Sequence, residues 1–271
     1  YGGGIYNNGN LTLNNCTVKN NQANPTGYWS SYGAGIYNPG IMTIKGSTVE
    51  YNTATGYYAY AGGINNWGTM TIEDSTVQYN GAYSSDEAKG GGIYNEDTLT
   101  IINSTINGNI VQSNYPDDAY GGGIYNYGTL TMDNTNLENN VASGYDAYGG
   151  GIYNYYGNLY INNSNINQNT AEASNTQSYG GGIYLNSGSL TLTNSNVNQN
   201  TVTGQPGYSA EGGGIYNSGA TMNITGGSVS SNRVNGGDAR GGGISISWGY
   251  HNIVAINGCT IQDNAIYSTS T

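Results

Sequence analysis

Apolar and polar residues alternate over very short stretches of this chain, and Asn and Gly separate the stretches. In the first copy of the pattern the stretches are Ile5-Tyr6, Leu11-Thr12-Leu13 and Cys16-Thr17-Val18. Alternation with a period of two is typical of strands that bury one face. The Asn and Gly residues between them favour turns, because both tolerate positive φ. We therefore predict three short strands and three corners per copy, with Cys16 and the aliphatic side chains pointing inward.

The pattern occurs nine times, and each copy is marked by an isoleucine that follows a glycine. These residues are Ile5, Ile36, Ile64, Ile93, Ile124, Ile152, Ile183, Ile215 and Ile244, which are 28 to 32 residues apart. A fixed period of this size indicates a solenoid. The absence of a 3.6-residue period and the runs of three glycines argue against helices. The sequence predicts an all-β fold, namely a right-handed parallel β-helix (β-solenoid) of nine rungs that form one domain over residues 1–271.

An asparagine closes the third strand of every copy, three residues after an inward aliphatic residue. The set is Asn21, Asn52, Asn80, Asn109, Asn140, Asn169, Asn200, Asn232 and Asn264. Stacked amides of this kind can bond to the rungs above and below. We predict a structural Asn ladder at one corner of the rod.

Tyrosines form two further columns that the period of two places outside the core. The first contains Tyr6, Tyr37, Tyr94, Tyr125, Tyr153, Tyr184 and Tyr216, and the second contains Tyr1, Tyr32, Tyr60, Tyr120, Tyr148 and Tyr179. Aromatic rings at rung spacing stabilise a sheet by stacking. They would equally provide a platform for glycans or for a partner surface, so both interpretations of the first column stay open.

The composition excludes several classes of partner. Only 8% of the residues are charged and the net charge is −11, with Lys19, Lys45, Lys89, Arg233 and Arg240 as the only basic residues besides one histidine. The chain has no basic stripe for nucleic acid or for an anionic membrane surface. No apolar run approaches the roughly 20 residues that cross a bilayer, so we expect no membrane insertion. We predict no catalytic residue, no metal site and no cofactor.

Two functions other than a structural role are compatible with parts of the sequence. Asp86, Glu87, Asp117, Asp118 and Asp146 lie in three successive segments between rungs. A polysaccharide-processing β-helix enzyme could use such carboxylates. However, the single histidine, His251, and the arginines lie far along the rod from these acids. The second alternative is an ice-binding β-solenoid, based on an outward Thr column that Tyr160, Asn223 and Ala255 interrupt; its members are Thr12, Thr43, Thr71, Thr100, Thr131 and Thr191.

The Gly-Gly-x-Ile motif, paired with the hydrophobic-x-x-Asn motif, resembles the passenger repeats of chlamydial polymorphic membrane proteins and, more broadly, autotransporter adhesins. The resemblance covers all nine copies, although Val, Ile or Leu stands where that family prefers Phe. It implies an extracellular or cell-surface rod with a structural or adhesive role, with glycans or a host or cell surface as partners. It carries over no catalytic residue.

Both ends of the chain are expected to lack caps. Tyr1 opens a full rung, and Ala265 to Thr271 is a seven-residue segment after the last one. If a second copy followed, Ile244 and the next Ile5 would be 32 residues apart, which fits the period. We therefore predict head-to-tail association with itself into a filament, or a place in a longer surface repeat protein. Cys16 and Cys259 occupy the same column position and would lie one rung apart across such a junction, where they could bridge; alternatively, both are small core residues.

Overall fold

The computed structural model describes residues 1–114, 116–247 and 252–268 as a stack of short β-strands without helices. Five parallel sheets, named A to E in chain order, run along the stack. Among the described residues, sheets A to D contain nine strands each and sheet E contains eight. The predicted all-β parallel β-helix with nine rungs is confirmed.

Sheets A, B and C carry the three strands that the sequence predicts for each rung. Sheet A consists of Ile5–Tyr6, Ile36–Asn38, Ile64–Asn66, Ile93–Asn95, Ile124–Asn126, Ile152–Asn154, Ile183–Leu185, Ile215–Asn217 and Ile244–Ile246. Sheet B consists of Asn10–Asn14, Ile41–Lys45, Thr69–Glu73, Thr98–Ile102, Thr129–Asp133, Asn158–Asn162, Ser189–Thr193, Thr221–Thr225 and Ile253–Asn257. Sheet C consists of Thr17–Lys19, Thr48–Glu50, Thr76–Gln78, Thr105–Asn107, Asn136–Glu138, Asn165–Asn167, Asn196–Asn198, Ser228–Ser230 and Thr260–Gln262.

Sheets D and E lie in the segments between the predicted rungs, where the sequence pattern predicts no strand. Sheet D consists of Gln22–Ala23, Thr53–Gly56, Gly81–Ser84, Ile110–Ser113, Val141–Gly144, Thr170–Ala173, Thr201–Thr203, Arg233–Gly236 and Ala265–Ser268. Sheet E consists of Ser31–Tyr32, Ala59–Tyr60, Ala88–Lys89, Ala119–Tyr120, Ala147–Tyr148, Ser178–Tyr179, Ser209–Glu211 and Asp238–Arg240.

The prediction of three strands per rung is therefore wrong, since a full rung has five. The strands of sheets D and E show no alternation of large apolar and polar residues in the sequence, because most of their inward residues are small. Ala54, Ala59, Ala82 and Ala88 are fully buried and pack against each other in a narrow second core. The segment from Ala265 is likewise a strand as far as Ser268, and residues 269–271 lie outside the described part.

Equivalent residues stack directly above one another. Ile64 pairs with Ile36 on one side and with Ile93 on the other, and Met70 pairs with Met42 and Leu99 in the same way. These aliphatic side chains form the main core between sheets A, B and C. The inward positions predicted for Ile36, Met42 and Val49 are confirmed, because each is at most 1% exposed.

The corners use left-handed backbone conformations, as the turn residues predict. Asn15, Asn103 and Asn134 have φ values of 51°, 49° and 48° where sheet B passes to sheet C. Asn tolerates this region better than other side chains do, and Gly46 takes the same role in the second rung. The corners thus turn the chain without leaving the repeat register.

Candidate functional site: a tyrosine face along the rod

The predicted Asn ladder is present and continuous. Asn52 Nδ2 donates to Asn80 Oδ1 at 2.9 Å, and Asn80 Nδ2 donates to Asn109 Oδ1 at 3.0 Å. Each of these amides also donates to a carbonyl of an adjacent rung, as Asn109 does to Val77 at 3.0 Å. Asn52, Asn80 and Asn109 are at most 1% exposed. The ladder therefore satisfies buried backbone groups at the corner between sheets C and D.

A second Asn ladder was missed by the sequence reasoning. Its members directly follow the positions of the first tyrosine column, including Asn65, and their side-chain amides bond from rung to rung at 2.7 to 2.8 Å: Asn7, Asn38, Asn66, Asn95, Asn126 and Asn154. The recurring Ile-Tyr-Asn triplet was the available signal, but it was interpreted only as a turn. Leu185 takes the equivalent position in the next rung and is fully buried.

The first tyrosine column is a stack, but its rings are not exposed. Centroids of neighbouring rings are 4.9 Å apart for Tyr94 and Tyr125, 5.2 Å for Tyr125 and Tyr153, and 5.0 Å for Tyr153 and Tyr184. These four residues are 4% to 9% exposed, whereas Tyr6 in the first rung is 57% exposed. The column lies outside the aliphatic core, as predicted, yet its ring faces are covered by one another.

The second tyrosine column packs against the first and explains this burial. Tyr120 lies edge-on to Tyr153 with a centroid distance of 4.9 Å, and Tyr148 lies edge-on to Tyr184 at 5.4 Å. The rings of Tyr120 and Tyr148 also stack on each other at 5.1 Å. The two columns thus form one interlocked aromatic layer, which we call the tyrosine face. The predicted stacking is confirmed, and the glycan or partner platform stays a prediction.

Each column is interrupted once, and the interruptions lie in successive rungs. Asn65 pairs with Tyr37 and Tyr94 in the first column, and Lys89 pairs with Tyr60 and Tyr120 in the second. Between these two positions, the ring of Tyr60 in the second column contacts the ring of Tyr94 in the first column edge to face, with a centroid distance of 5.5 Å. The aromatic layer therefore continues past both gaps through this one pair among the described residues.

Carboxylates accept hydrogen bonds from several phenols of the tyrosine face. The Tyr94 hydroxyl donates to Glu96 Oε2 at 2.6 Å, and the Tyr120 hydroxyl donates to Asp118 Oδ2 at 2.9 Å. In the next rung the Tyr148 hydroxyl donates to Asp146 Oδ2 at 2.9 Å. Two of the acids between rungs, Asp118 and Asp146, are thus partners of tyrosines, and Glu87 pairs with Lys89.

The environment of Asp118 shows how burial and bonding oppose each other. Burial raises the pKa of its carboxyl, while the hydrogen bond from Tyr120 lowers it. Asp146 accepts hydrogen bonds from the Thr176 hydroxyl and from the Gln177 N–H. Within residues 1–114, 116–247 and 252–268, no three or more His, Cys, Asp and Glu side chains are placed to hold a metal. His251 lies outside the described residues.

A surface pocket of about 220 Å³ opens beside Lys89. It is lined by Glu87, Lys89, Tyr120, Tyr125, Tyr153 and Tyr155. The Lys89 ammonium lies 2.9 Å from Glu87 Oε2 and 5.3 Å from the Tyr125 ring centroid. Because Glu87 neutralises Lys89, the pocket is suited to a neutral polar group more than to an anion.

Phenol ionisation should be suppressed at the buried rings of the tyrosine face. Burial raises the pKa of Tyr37 and of Tyr179 to about 12. Burial raises the pKa of Tyr94, Tyr125 and Tyr153 further still. Since an unfolded tyrosine ionises near pH 10, the folded chain holds these protons more tightly than the unfolded chain does.

We expect alkaline pH to unfold the rod cooperatively. The stability that the raised pKa values contribute is complete below about pH 10, and it is lost as the pH rises through about 12. The part of the tyrosinate absorbance that the buried tyrosines contribute should therefore rise together with the loss of the far-UV β-sheet signal. The urea-unfolded chain is the control and should titrate near pH 10. Titration of most tyrosines at that pH with the β-sheet signal intact would contradict the burial of the tyrosine face.

The Thr column and the two cysteines are found at their predicted positions in the stack. Thr100 and Thr131 pair on the outer side of sheet B, so the Thr column exists, and ice binding stays a prediction. Cys16 and Cys259 are free thiols at the column position of Ser47, and Cys259 packs against the main core. No described helix is long and apolar enough to cross a membrane.

No protein-family model matches the chain, and no curated protein or solved structure is significantly similar to it. The β-solenoid fold therefore rests on the sequence pattern and the structure. The resemblance to chlamydial and autotransporter passenger repeats stays a prediction beyond that fold.

Proposed function

We propose that this chain is a structural rod of the cell surface or extracellular space that associates head to tail with further copies of itself. The observation that carries the proposal is the complementarity of the two terminal rungs. Low charge and many Gly, Asn, Thr and Tyr residues support an extracellular location. The proposal concerns these rungs as surfaces and applies whether the neighbouring rung comes from a second copy or from further repeats of a longer protein.

The ninth rung leaves inward-pointing apolar side chains uncovered. Ile256, Ile261 and Ile266 are 37%, 51% and 47% exposed, whereas their partners in the eighth rung are fully buried. These partners are Ile224, Val229 and Val234. An unpaired strand edge of this kind is a template for another strand. Covering the three isoleucines with one more rung would stabilise the end by burying apolar area.

The Asn ladder gives this contact a direction. Each ladder residue donates from its N–H and Nδ2 to Oδ1 of the next, as Asn232 does to Asn264 at 2.9 Å for both bonds. No described residue donates to Asn21 Oδ1, and among the described residues Asn264 Nδ2 donates only to Val229 O. Head-to-tail stacking would join Asn264 of one copy to Asn21 of another and continue the ladder. Stacking of like ends would bring two donors or two acceptors together.

The cysteines would meet at the same junction. The backbone N–H of Cys16 donates to the Ser47 hydroxyl at 3.0 Å, which places Cys16 at the column position of Ser47, one rung before it. Cys259 holds that position in the ninth rung, because Thr260 pairs with Ser228. Neighbouring strands are about 4.8 Å apart, within the roughly 7 Å limit for a disulfide. A disulfide between Cys259 of one copy and Cys16 of the next would therefore meet the distance limit.

We expect Ile261→Lys to abolish head-to-tail association. The substitution places a charge on the apolar end, where a second copy would have to bury it. Association is measured by sedimentation velocity over a range of concentrations, together with non-reducing gels after mild oxidation. The parent should form higher species and disulfide-linked ladders, and Cys16→Ser should remove only the ladders.

Thr260→Lys is the matched control, because Thr260 is exposed on the outer side of the same strand. It adds the same charge without entering the end surface and should associate like the parent. Single chains at every concentration, or equal association of the parent and Ile261→Lys, would refute the proposed contact.

An adhesive role remains compatible with such a rod. Its partners would be glycans or a host or cell surface, and the pocket beside Lys89 would suit a neutral sugar. Ice binding through the Thr column and polysaccharide processing by Asp117 and Asp118 are the less supported alternatives. The Asp117 and Asp118 segment holds no histidine or arginine to act with its acids.

A further inference from the structure

The tyrosine face forms an unbroken series of ring contacts along most of the rod. It starts at Tyr6, whose ring stacks on Tyr37 at 5.5 Å, and Tyr37 touches Tyr32 at 6.2 Å. Tyr32 stacks on Tyr60 at 5.0 Å, and Tyr60 meets Tyr94 at 5.5 Å. From Tyr94 the first column continues through Tyr125, Tyr153 and Tyr184 to Tyr216, with the last pair 5.1 Å apart.

The series is exposed at one end and buried beyond it. Tyr1 and Tyr6 are 72% and 57% exposed, whereas Tyr125 and Tyr153 are 4% and 6% exposed. In a single chain, whose first rung is not covered by another copy, a reactive species in solution can therefore reach the first-rung end of the series more readily than its interior. Structural stacking alone explains the contacts, but it does not require phenols rather than plain phenyl rings. The chain has 28 tyrosines and no phenylalanine.

Three phenols of the tyrosine face have carboxylate proton acceptors, and one of the three, Tyr94, belongs to this series. Glu96 accepts from Tyr94, Asp118 from Tyr120, and Asp146 from Tyr148, at 2.6 to 2.9 Å. A carboxylate at this distance can take the phenolic proton at the moment an electron leaves the ring. Burial raises the pKa of Tyr94, so the ring does not reach its ionised form at neutral pH. Tyr94 is therefore protonated when its ring is oxidised, and a neutral radical forms only if the proton leaves, for which Glu96 is in place.

We propose that the tyrosine face conducts one-electron oxidising equivalents along the rod, from the exposed rings of the first rung to Tyr216. The oxidant is a one-electron acceptor in solution, such as an oxygen-derived radical. At Tyr94 the acceptor or the neighbouring tyrosyl radical takes one electron, the O–H bond breaks, and the proton passes to Glu96. A neutral phenoxyl radical and a protonated carboxyl remain. When Tyr125 supplies the next electron, the proton returns from Glu96 to the Tyr94 oxygen, and Tyr125 releases its own phenolic proton to solvent in the surface pocket that it lines.

The two column interruptions make the path narrow at one point. Asn65 replaces a ring in the first column and Lys89 replaces one in the second, one rung later. Among the described residues, only the Tyr60–Tyr94 contact crosses this interval. Further along, two columns run side by side. Loss of Tyr94 should therefore interrupt conduction, whereas loss of Tyr148 leaves the series from Tyr125 through Tyr153 to Tyr184 complete.

The test places an oxidant at one end and a trap at the other. A ruthenium polypyridyl photo-oxidant is attached at Asn8→Cys, beside Tyr6, in a chain that also carries Cys16→Ser and Cys259→Ser. Position 216 carries 3-aminotyrosine, which is oxidised more easily than tyrosine and has a distinct radical spectrum. Samples are used at concentrations where sedimentation shows single chains, so that no neighbouring copy shortens the path. The yield of the radical at position 216 is measured by electron paramagnetic resonance after a flash.

We expect Tyr94→Phe to lower this yield by at least about tenfold, the factor that about 1.4 kcal/mol of added barrier produces. Phe keeps the ring, its stacking and its volume, but it has no hydroxyl to deprotonate. Tyr148→Phe is the matched control, since it also removes a buried phenol bonded to a carboxylate, and it should keep most of the yield. No radical at position 216 in the parent, an unchanged yield in Tyr94→Phe, or equal losses in the two variants would each overturn the proposal.

Discussion

Replacing Asn109 by Asp should lower the free energy of unfolding by about 3 kcal/mol or more at neutral pH. Asp keeps the shape and the acceptor of the side chain but loses the Nδ2 donor. Val77 O and Asn140 Oδ1, each 3.0 Å from that nitrogen, would then face a carboxylate oxygen in a site with no solvent exposure. Urea unfolding and hydrogen exchange would measure the loss, with exchange locating it in the neighbouring rungs.

The pH dependence of this variant identifies the cause. Burial and the facing oxygens raise the folded-state pKa of the new carboxyl, so the folded chain binds its proton more tightly. The variant should be most stable below about pH 4, the unfolded value for Asp, and should weaken as the pH rises through the folded value. Asn136→Asp is the control, because Asn136 is exposed and only accepts a hydrogen bond, from Asn165 at 2.9 Å. Equal effects of the two substitutions would show that the ladder contributes nothing specific.

Replacing Gly122 by Ala should cost about 3 kcal/mol, because the new methyl group has no space. A Cβ at this position would lie 2.4 Å from Gly150 O and 2.5 Å from Val141 O. Both atoms belong to backbone held by inter-rung hydrogen bonds, so neither can move away without breaking the stack. The urea midpoint of the variant should fall, and exchange protection should be lost in the rungs that contain Gly122 and Gly150.

Gly9→Ala is the control for the same chemical change. A Cβ at Gly9 has no atom within 4 Å, and Gly9 does not have the left-handed backbone. We expect its effect on stability to stay within about 0.5 kcal/mol. A Gly122→Ala variant as stable as Gly9→Ala would contradict the close approach of the chain at the glycine runs.

The sequence predicts the parts of this fold that rest on aliphatic periodicity. Ile64, Met70 and Val77 stand at fixed offsets in the repeat, so their columns and the Asn ladder follow from a period of two within a period of about 30. Sheets D and E could not be predicted in this way. Ala54 and Ala59 fit between two closely spaced sheets because they are small, and small residues carry little signal of strand formation.

The burial of the tyrosines could not be predicted from the sequence pattern, because it depends on contacts between two columns. The period of two correctly places Tyr94 and Tyr125 outside the aliphatic core. The cover of the first tyrosine column comes from the second one: Tyr60 contacts Tyr94, Tyr120 contacts Tyr153, and Tyr148 contacts Tyr184. The second-column residues follow segments of variable length, and the angle between the two columns is set by the fold. The carboxylate partners of the phenols depend on the same geometry.

The most direct test of the proposed rod is electron cryo-microscopy of the associated chain. Head-to-tail stacking predicts filaments whose strand spacing of about 4.8 Å continues through every junction, so that nine rungs give an axial repeat of about 43 Å. Asn264 of one copy should then lie against Asn21 of the next. Filaments joined side by side, junctions with an interrupted strand spacing, or single chains alone would contradict the account.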